Sequence, residues 1–457
     1  MRLDSVVAHI DEHFSETVKE LTRFCRQESV SADGRGIESM ASMVEEALEE
    51  IGAKTTVHRQ EGRCPLIVGQ LPSSSARQIV LYNHYDVQPP EPLDAWDANP
   101  FEPVIRDGYF FARGAADNKG ALVARLAALR AFKAVHGQAP VGVTFIIEGE
   151  EESGSPMLRE FIPRNPHLLQ ADGLIWEEAS ADQSGTPVMR LGNKGMLHLE
   201  IRATGPRADI HSRFAGIMPN PIWRLVWALA SIRDANGKVA IDGFANEVVP
   251  PTEDEQAIYR RMAGGTNALL ARNGLEAAFP SMDANEAMET LYHEPTCNIP
   301  GMAGGYTGPG TKGVLPAVAT ARLEFRLVPN QDPERVAALL LEHLKTNGFG
   351  DLDVRVLNSL PPSKTPMNHP FARLVYEAGE TAFGCPLVIE PSSSGSGPRH
   401  VFTSVAEIPI VAIGVSHAGS AIHGPNENIQ LCGMRGHAIH VAALMYALSM
   451  DANGRRA

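Results

Sequence analysis

The chain has 457 residues, 44% hydrophobic and 21% charged, which fits a globular protein of two or three domains and excludes a short peptide module, a collagen-like chain or a disordered one. Lys plus Arg number 40 against 54 Asp plus Glu, a net charge of −14 that leaves no basic footprint for nucleic acid or anionic lipid. Five scattered cysteines (Cys25, Cys64, Cys297, Cys385, Cys432) without a CxxC pair point away from a disulfide framework or thiolate zinc site and toward a reducing, cytoplasmic setting.

The first 20 residues read as an amphipathic helix without the basic start and apolar centre of a signal peptide, so export is not expected. Apolar runs at 79–82, 141–147 and 173–176 read as strands and 121–135 as a helix, the alternation of an α/β fold. From 196 to 364 the grammar changes: an alternating strand (197–203), a helix (221–233), a Gly-rich loop, a strand (319–328) and a helix (333–345) suit an inserted α+β domain. The serine and glycine run 392–397 is a loop by composition. A strand at 409–415 and a helix at 437–449 then resume the first layer, giving a division into 1–195, 196–364 and 365–457. The longest apolar stretches, 408–415 and 441–450, are far shorter than the roughly 20 residues needed to cross a bilayer, so no membrane partner is expected.

In an open α/β sheet, ligands gather beyond the carboxyl ends of the strands. The first strand runs into Asn83-His84-Tyr85-Asp86, where alternation puts His84 and Asp86 on one face. That pair is either a metal-ligating imidazole oriented by an acid or a histidine satisfied near the turn at Pro89 and Pro90. Arg113-Gly114-Ala115-Ala116-Asp117-Asn118-Lys119-Gly120 precedes a helix, where its acid is an N-cap or a ligand. Glu148 to Glu152 end the third strand and Glu177-Glu178 the fourth; carboxylates converging on one crevice call for a multivalent cation. With a second imidazole in Ile422-His423-Gly424-Pro425-Asn426-Glu427, the donor set suits zinc, manganese or cobalt better than calcium or magnesium. The stretch 308–313 lacks the GK[ST] order of a phosphate loop, so no nucleotide site is read there.

Taken together, His84-Tyr85-Asp86, Arg113-Gly114 with Asp117 to Gly120, Glu148-Gly149 with Glu151-Glu152, Asp209 with His211-Ser212, Gly304 to Gly310, Arg326 to Gln331, and His423 with Asn426-Glu427 resemble the M20 family of metallopeptidases, the carnosinase-like dipeptidases, glutamate carboxypeptidases and aminoacylases. The resemblance covers nearly the whole chain. It implies a zinc-exopeptidase-like catalytic domain, a mixed sheet flanked by helices, carrying an inserted ferredoxin-like lid and dimerisation domain. It further implies two divalent ions, one held by His84, Asp117 and Glu178 and the other by Asp117, Glu152 and His423, with Glu177 as the substitute for Glu178. A cis Asp117–Asn118 bond follows from the same likeness. Glu151 becomes the general base and acid, Asp86 the orienter of His84, and the metals the source of Lewis-acid polarisation and an acidified water.

In the inserted domain, the resemblance makes His211 an oxyanion donor to the neighbouring subunit of a homodimer, with Arg213 where the family has Gly. Arg326 becomes the clamp for a substrate carboxylate, and Asn220, Thr311, Gly395 and Ser396 further substrate contacts. Carnosinase-like loops carry an Arg where this chain has the 392–397 loop, leaving Arg399 or His400 as stand-ins. The expected reaction is hydrolysis of an amide beside a free carboxylate, in dipeptides or, alternatively, in N-acyl or N-carbamoyl amino acids. A catalytically silent binding homologue is the remaining reading, and the full ligand set with Glu151 argues against it.

Overall fold

The apolar run read at 79–82 lies inside a longer strand, Gln78–His84, buried from its second residue to its last. Its side chains alternate between two cores: Ile79 and Leu81 join one, Val80 and Tyr82 the other. A strand covered on both faces reads as continuous apolar sequence rather than as polar and apolar alternation. The computed structural model describes residues 2–279 and 282–450.

Gln78–His84 sits in an eight-stranded mixed sheet, ordered 54–58, 66–71, 142–148, 78–84, 173–176, 410–412, 188–190 and 388–390. The four central strands run parallel, and the pair at 54–58 and 66–71 runs antiparallel along one edge. Helices Leu3–Glu12, Phe14–Arg26, Ile37–Glu50, Gly120–His136, Pro370–Phe383 and Leu431–Met450 share the larger core. Pro156–Arg164 packs with Val401 and Phe402 in the smaller one. The N-terminal segment is two helices, broken at His13, rather than the one read from sequence.

These elements form one compact unit, 1–192 with 365–390 and 401–457; a second comprises 193–364 and 391–400. The second unit has a four-stranded antiparallel sheet ordered 296–304, 318–327, 195–204 and 353–360, with helices Pro221–Ile232 and Pro333–Thr346. The succession strand, helix, strand, strand, helix, strand with this order is the ferredoxin-like arrangement. Leu197, Leu199, Ile201 and Ala203 point from alternate positions into its core. Glu253–Met262, Thr266–Arg272 and Ala284–Tyr292 are short helices where the sequence reading has only a loop. The segment 391–400, expected with the last part of the first domain, groups instead with the second unit: Lys194 N–H donates to the carbonyls of Ser393 and Gly395.

Candidate metal centre

His84 is the last residue of its strand and 1% exposed. Its Nδ1 lies 3.1 Å from the Asp86 carbonyl and 3.4 Å from Asp86 Oδ1, a partner that directs the ring and leaves Nε2 for a ligand. The Asp86 carboxylate also accepts the N–H groups of Glu151 and Glu152, each at 3.1 Å. One buried acid thus fixes both the first imidazole and the turn Glu151–Ser153 that follows the third strand.

Asp117 stands before helix Gly120–His136, and the Asp117–Asn118 bond is cis. Its two oxygens face different partners: Oδ1 is 2.8 Å from His84 Nε2, and Oδ2 is 3.0 Å from His423 Nε2. Glu152 Oε2 lies 3.2 Å from the same His423 nitrogen and accepts a hydrogen bond from Gln88 Nε2 at 2.8 Å. On the other side, Glu177 Oε1 lies 3.9 Å from His84 Nε2. Glu178, the ligand read from sequence, turns away. Its side chain is 57% exposed and faces Arg190 at 3.7 Å, so of the two acids it is Glu177 that lies beside His84. The reason is local: the strand Gly173–Trp176 ends in a bend at Glu177, and side-chain alternation does not carry past it.

Glu427, to which sequence reasoning gave no role, holds two loops of the candidate site together. Fully buried, it accepts Arg113 Nη1 at 2.7 Å and the N–H groups of Gly114, Ala116 and Asp117 at 3.0, 2.9 and 3.0 Å. Four residues after His423, it ties the loop carrying that imidazole to the loop carrying Asp117. An acid in a Gly, Pro and Asn-rich segment beside a candidate ligand was its only sequence signal. In the same segment Ala421, His423 and Asn426 take left-handed backbone, with φ of 50°, 62° and 59°, which non-glycine residues adopt where surrounding structure holds them.

The electrostatics show how crowded the carboxylates are. Burial pushes the Glu177 carboxyl up to about 8 and holds Glu151 well above its ordinary range. Burial acts the same way on Asp117, but hydrogen bonds from His423 and His84 outweigh it and keep that carboxylate ionised. Asp117 and Glu152 draw His423 up to about 10.

Asp117, Glu152 and His423 each offer a donor atom, all within 4.8 Å of one another. Glu152 Oε1 and Glu177 Oε2 are buried with no hydrogen-bond partner among the described residues. Buried carboxylate oxygens without a donor are costly, and a cation is what such a donor set fits.

The family described as peptidase family M20/M25/M40 matches residues 80–451. The chain belongs to the M20 family of peptidases. The Cys-Gly metallodipeptidase dug1 of Schizosaccharomyces pombe is 30% identical over 371 residues, 77% of each chain. The Beta-Ala-His dipeptidase of Rattus norvegicus is 26% identical over 452 residues, 93% of this chain and 92% of that one. Among solved structures, the M20 family metallo-carboxypeptidase Sso-CP2 of Sulfolobus solfataricus superposes with a TM-score of 0.85 at 32% identity, covering 95% of this chain and 99% of that one.

The remaining candidates of this M20 chain lie in the second unit. His211 is exposed; its Nδ1 accepts the Arg213 N–H at 3.1 Å, which engages one ring nitrogen. Arg213 is not among the residues with positive φ, so the turn does not require the family's Gly. Arg326 Nε donates to Glu324 Oε1 at 2.5 Å and Nη1 to Ser396 Oγ at 2.9 Å, while Ser396 Oγ donates to the Gly195 carbonyl. Ser396 therefore steadies Arg326. Asn220 Oδ1 caps helix Pro221–Ile232 by accepting the Ile222 N–H, which gives that oxygen a structural task. Thr311 is exposed, and Gly395 N–H is taken by Ser393 Oγ. Arg399, one of the two stand-ins for the missing loop arginine, is 1% exposed.

Proposed function

We propose that this M20 peptidase hydrolyses a peptide bond beside a free carboxylate, with dipeptides as substrates, using two divalent ions. The observation that carries the reading is the division of the donor set at Asp117, with His84 and Glu177 on one side and Glu152 and His423 on the other. Each side offers one imidazole nitrogen and carboxylate oxygens, a composition suited to zinc, with manganese or cobalt as alternatives. When bound, such ions supply Lewis-acid polarisation of the scissile carbonyl and a water acidified toward neutrality.

The chain's own residues do the rest. Glu151, whose carboxyl sits in the field of His84, Glu152, Asp117 and Glu177, takes the proton of the attacking water and returns it to the leaving amine. Asp86 keeps His84 oriented and holds Glu151 and Glu152 by their N–H groups. Arg326, steadied by Glu324 and Ser396, offers its remaining N–H groups to the substrate carboxylate. His211 of the partner subunit in a homodimer donates to the oxyanion.

The dimer reading is supported by the second unit. Trp223 and Trp227, each 56% exposed, stack at 5.7 Å on the outer face of helix Pro221–Ile232, and the edge strand Thr296–Gly304 exposes Ile299 and Met302. All five cysteines are free, which supports a cytoplasmic setting. Among the described residues no helix is long and apolar enough to cross a membrane.

The test is a panel of dipeptides, N-acyl amino acids and N-carbamoyl amino acids on the chelated protein resupplied with zinc, manganese or cobalt. Dipeptide turnover that vanishes on chelation and returns with metal, at two ions per chain, is expected. Turnover of N-acyl or N-carbamoyl substrates alone moves the assignment to an amidohydrolase, and turnover indifferent to chelation removes the metal centre.

A further inference from the structure

Helix Gly120–His136 is an apolar helix buried over most of its length, yet its sixth residue is Arg125, 0% exposed. Among the described residues, none of its hydrogen bonds goes to a carboxylate. Nη1 donates to the Tyr82 carbonyl at 2.6 Å and to Asn83 Oδ1 at 2.8 Å, Nη2 to the Trp176 carbonyl at 3.1 Å, and Nε faces His437 Nε2 at 3.4 Å. Burial, with Arg125 itself, keeps the His437 imidazole neutral, so that nitrogen can accept. A buried cation bound only to neutral acceptors is costly and fills a place that leucine or methionine could occupy.

Its partners show what it arranges. Tyr82 and Asn83 lead directly into His84, and Trp176 directly into Glu177. Asn83 Nδ2 in turn donates to Asn118 Oδ1 at 2.6 Å, beside Asp117. One guanidinium fork, with Asn83, therefore joins the three segments that carry His84, Asp117 and Glu177. None of these bonds reaches the segments of Glu152 or His423.

We propose that Arg125 is a positioning residue for one half of the metal centre, aligning the strand ends of His84 and Glu177. This rests on the two-ion reading above. The planar fork is what the role needs, since a lysine keeps the charge but cannot span two carbonyls and an amide oxygen at once.

The experiment is zinc titration of the chelated full-length chain by calorimetry and by competition with a chromogenic chelator, for wild type, Arg125→Lys and Arg125→Met, with thermal unfolding of each metal-free protein. Wild type takes up two ions. Both variants are expected to bind one ion with unchanged affinity and the other at least about 10-fold more weakly, with Lys intermediate. Arg125→Lys keeps the test readable if the Met variant does not fold. Two unchanged affinities, with or without a lowered unfolding midpoint, or parallel loss of both ions, overturn the proposal and make Arg125 a packing residue. A wild-type chain that binds fewer than two ions overturns the metal-centre reading, and this proposal with it.

Discussion

Glu177 and Glu178 are chemically identical neighbours, and only their surroundings separate them. Glu177 is buried beside His84, its Oε2 without a partner; Glu178 is open to solvent and faces Arg190. Removing a carboxylate that helps hold an ion leaves its partners uncompensated, whereas removing an exposed one costs little. Glu177→Ala is expected to cut bound zinc from two ions to one and to abolish turnover, while Glu178→Ala keeps both ions and changes kcat by no more than about twofold. Elemental analysis alongside dipeptide kinetics reads both outcomes. Glu151 differs again, because nothing assigns it to an ion. Glu151→Gln should retain full metal content and lose on the order of 10²–10⁴ in kcat, the usual contribution of a positioned general base. A Gln variant with near wild-type turnover would take the proton-transfer role away from this residue.

At the level of elements, the centre is built from pieces distant in sequence, and their alignment depends on carboxylates that hold backbone. Glu427 is the clearest case, with three N–H groups of Gly114–Asp117 and Arg113 all donating to it. Glu427→Gln sets an amide NH₂ against groups that are themselves donors and leaves the Arg113 charge buried without its counter-ion. The expected cost is about 3–5 kcal/mol, read as a lower urea midpoint of the metal-free chain, together with weaker zinc binding. Unchanged stability would show that Arg113 and the loop amides find other acceptors. This level also marks the limit of what sequence conveys. Four strands of the first sheet were legible because continuous apolar runs bounded by turn residues leave a local pattern, and the histidines stood out as candidates because each follows such a run in sequence. Glu177 was not separable from Glu178, because a strand buried on both faces gives no polar alternation and its terminal bend follows from packing. Arg125 was invisible for the opposite reason: a cation in a helical run that also carries Arg130 and Lys133 reads as the solvent side, and only the fold shows its fork inside. The 391–400 segment was misplaced because its bonds to Lys194 and Arg326 join residues about 70 to 200 positions apart.

At the scale of the whole molecule, the second unit carries an apolar surface that its own core does not need. Leu225, Ala228, Leu229 and Ile232 already fill the inner face of helix Pro221–Ile232, so Trp223, Val226 and Trp227 are surplus to the unit's own packing. Aromatic side chains kept at the surface in a stacked pair are the residues that dominate association energies when buried at the middle of an interface. In the proposed homodimer this face and the exposed edge strand Thr296–Gly304 meet their copies about a twofold axis, and His211 then serves the centre of the partner subunit. Replacing both tryptophans by alanine removes the anchors without touching a candidate ligand or Glu151. The double variant is therefore expected to sediment as a monomer at micromolar concentration, to keep two zinc ions per chain, and to lose on the order of 10²–10³ in kcat, the size expected when an oxyanion donor is withdrawn. His211→Ala should lose about as much while remaining a dimer, since it removes the donor and leaves the interface. If the tryptophan variant is a fully active monomer, His211 acts within its own chain or not at all. If it remains dimeric, the subunits associate through another face.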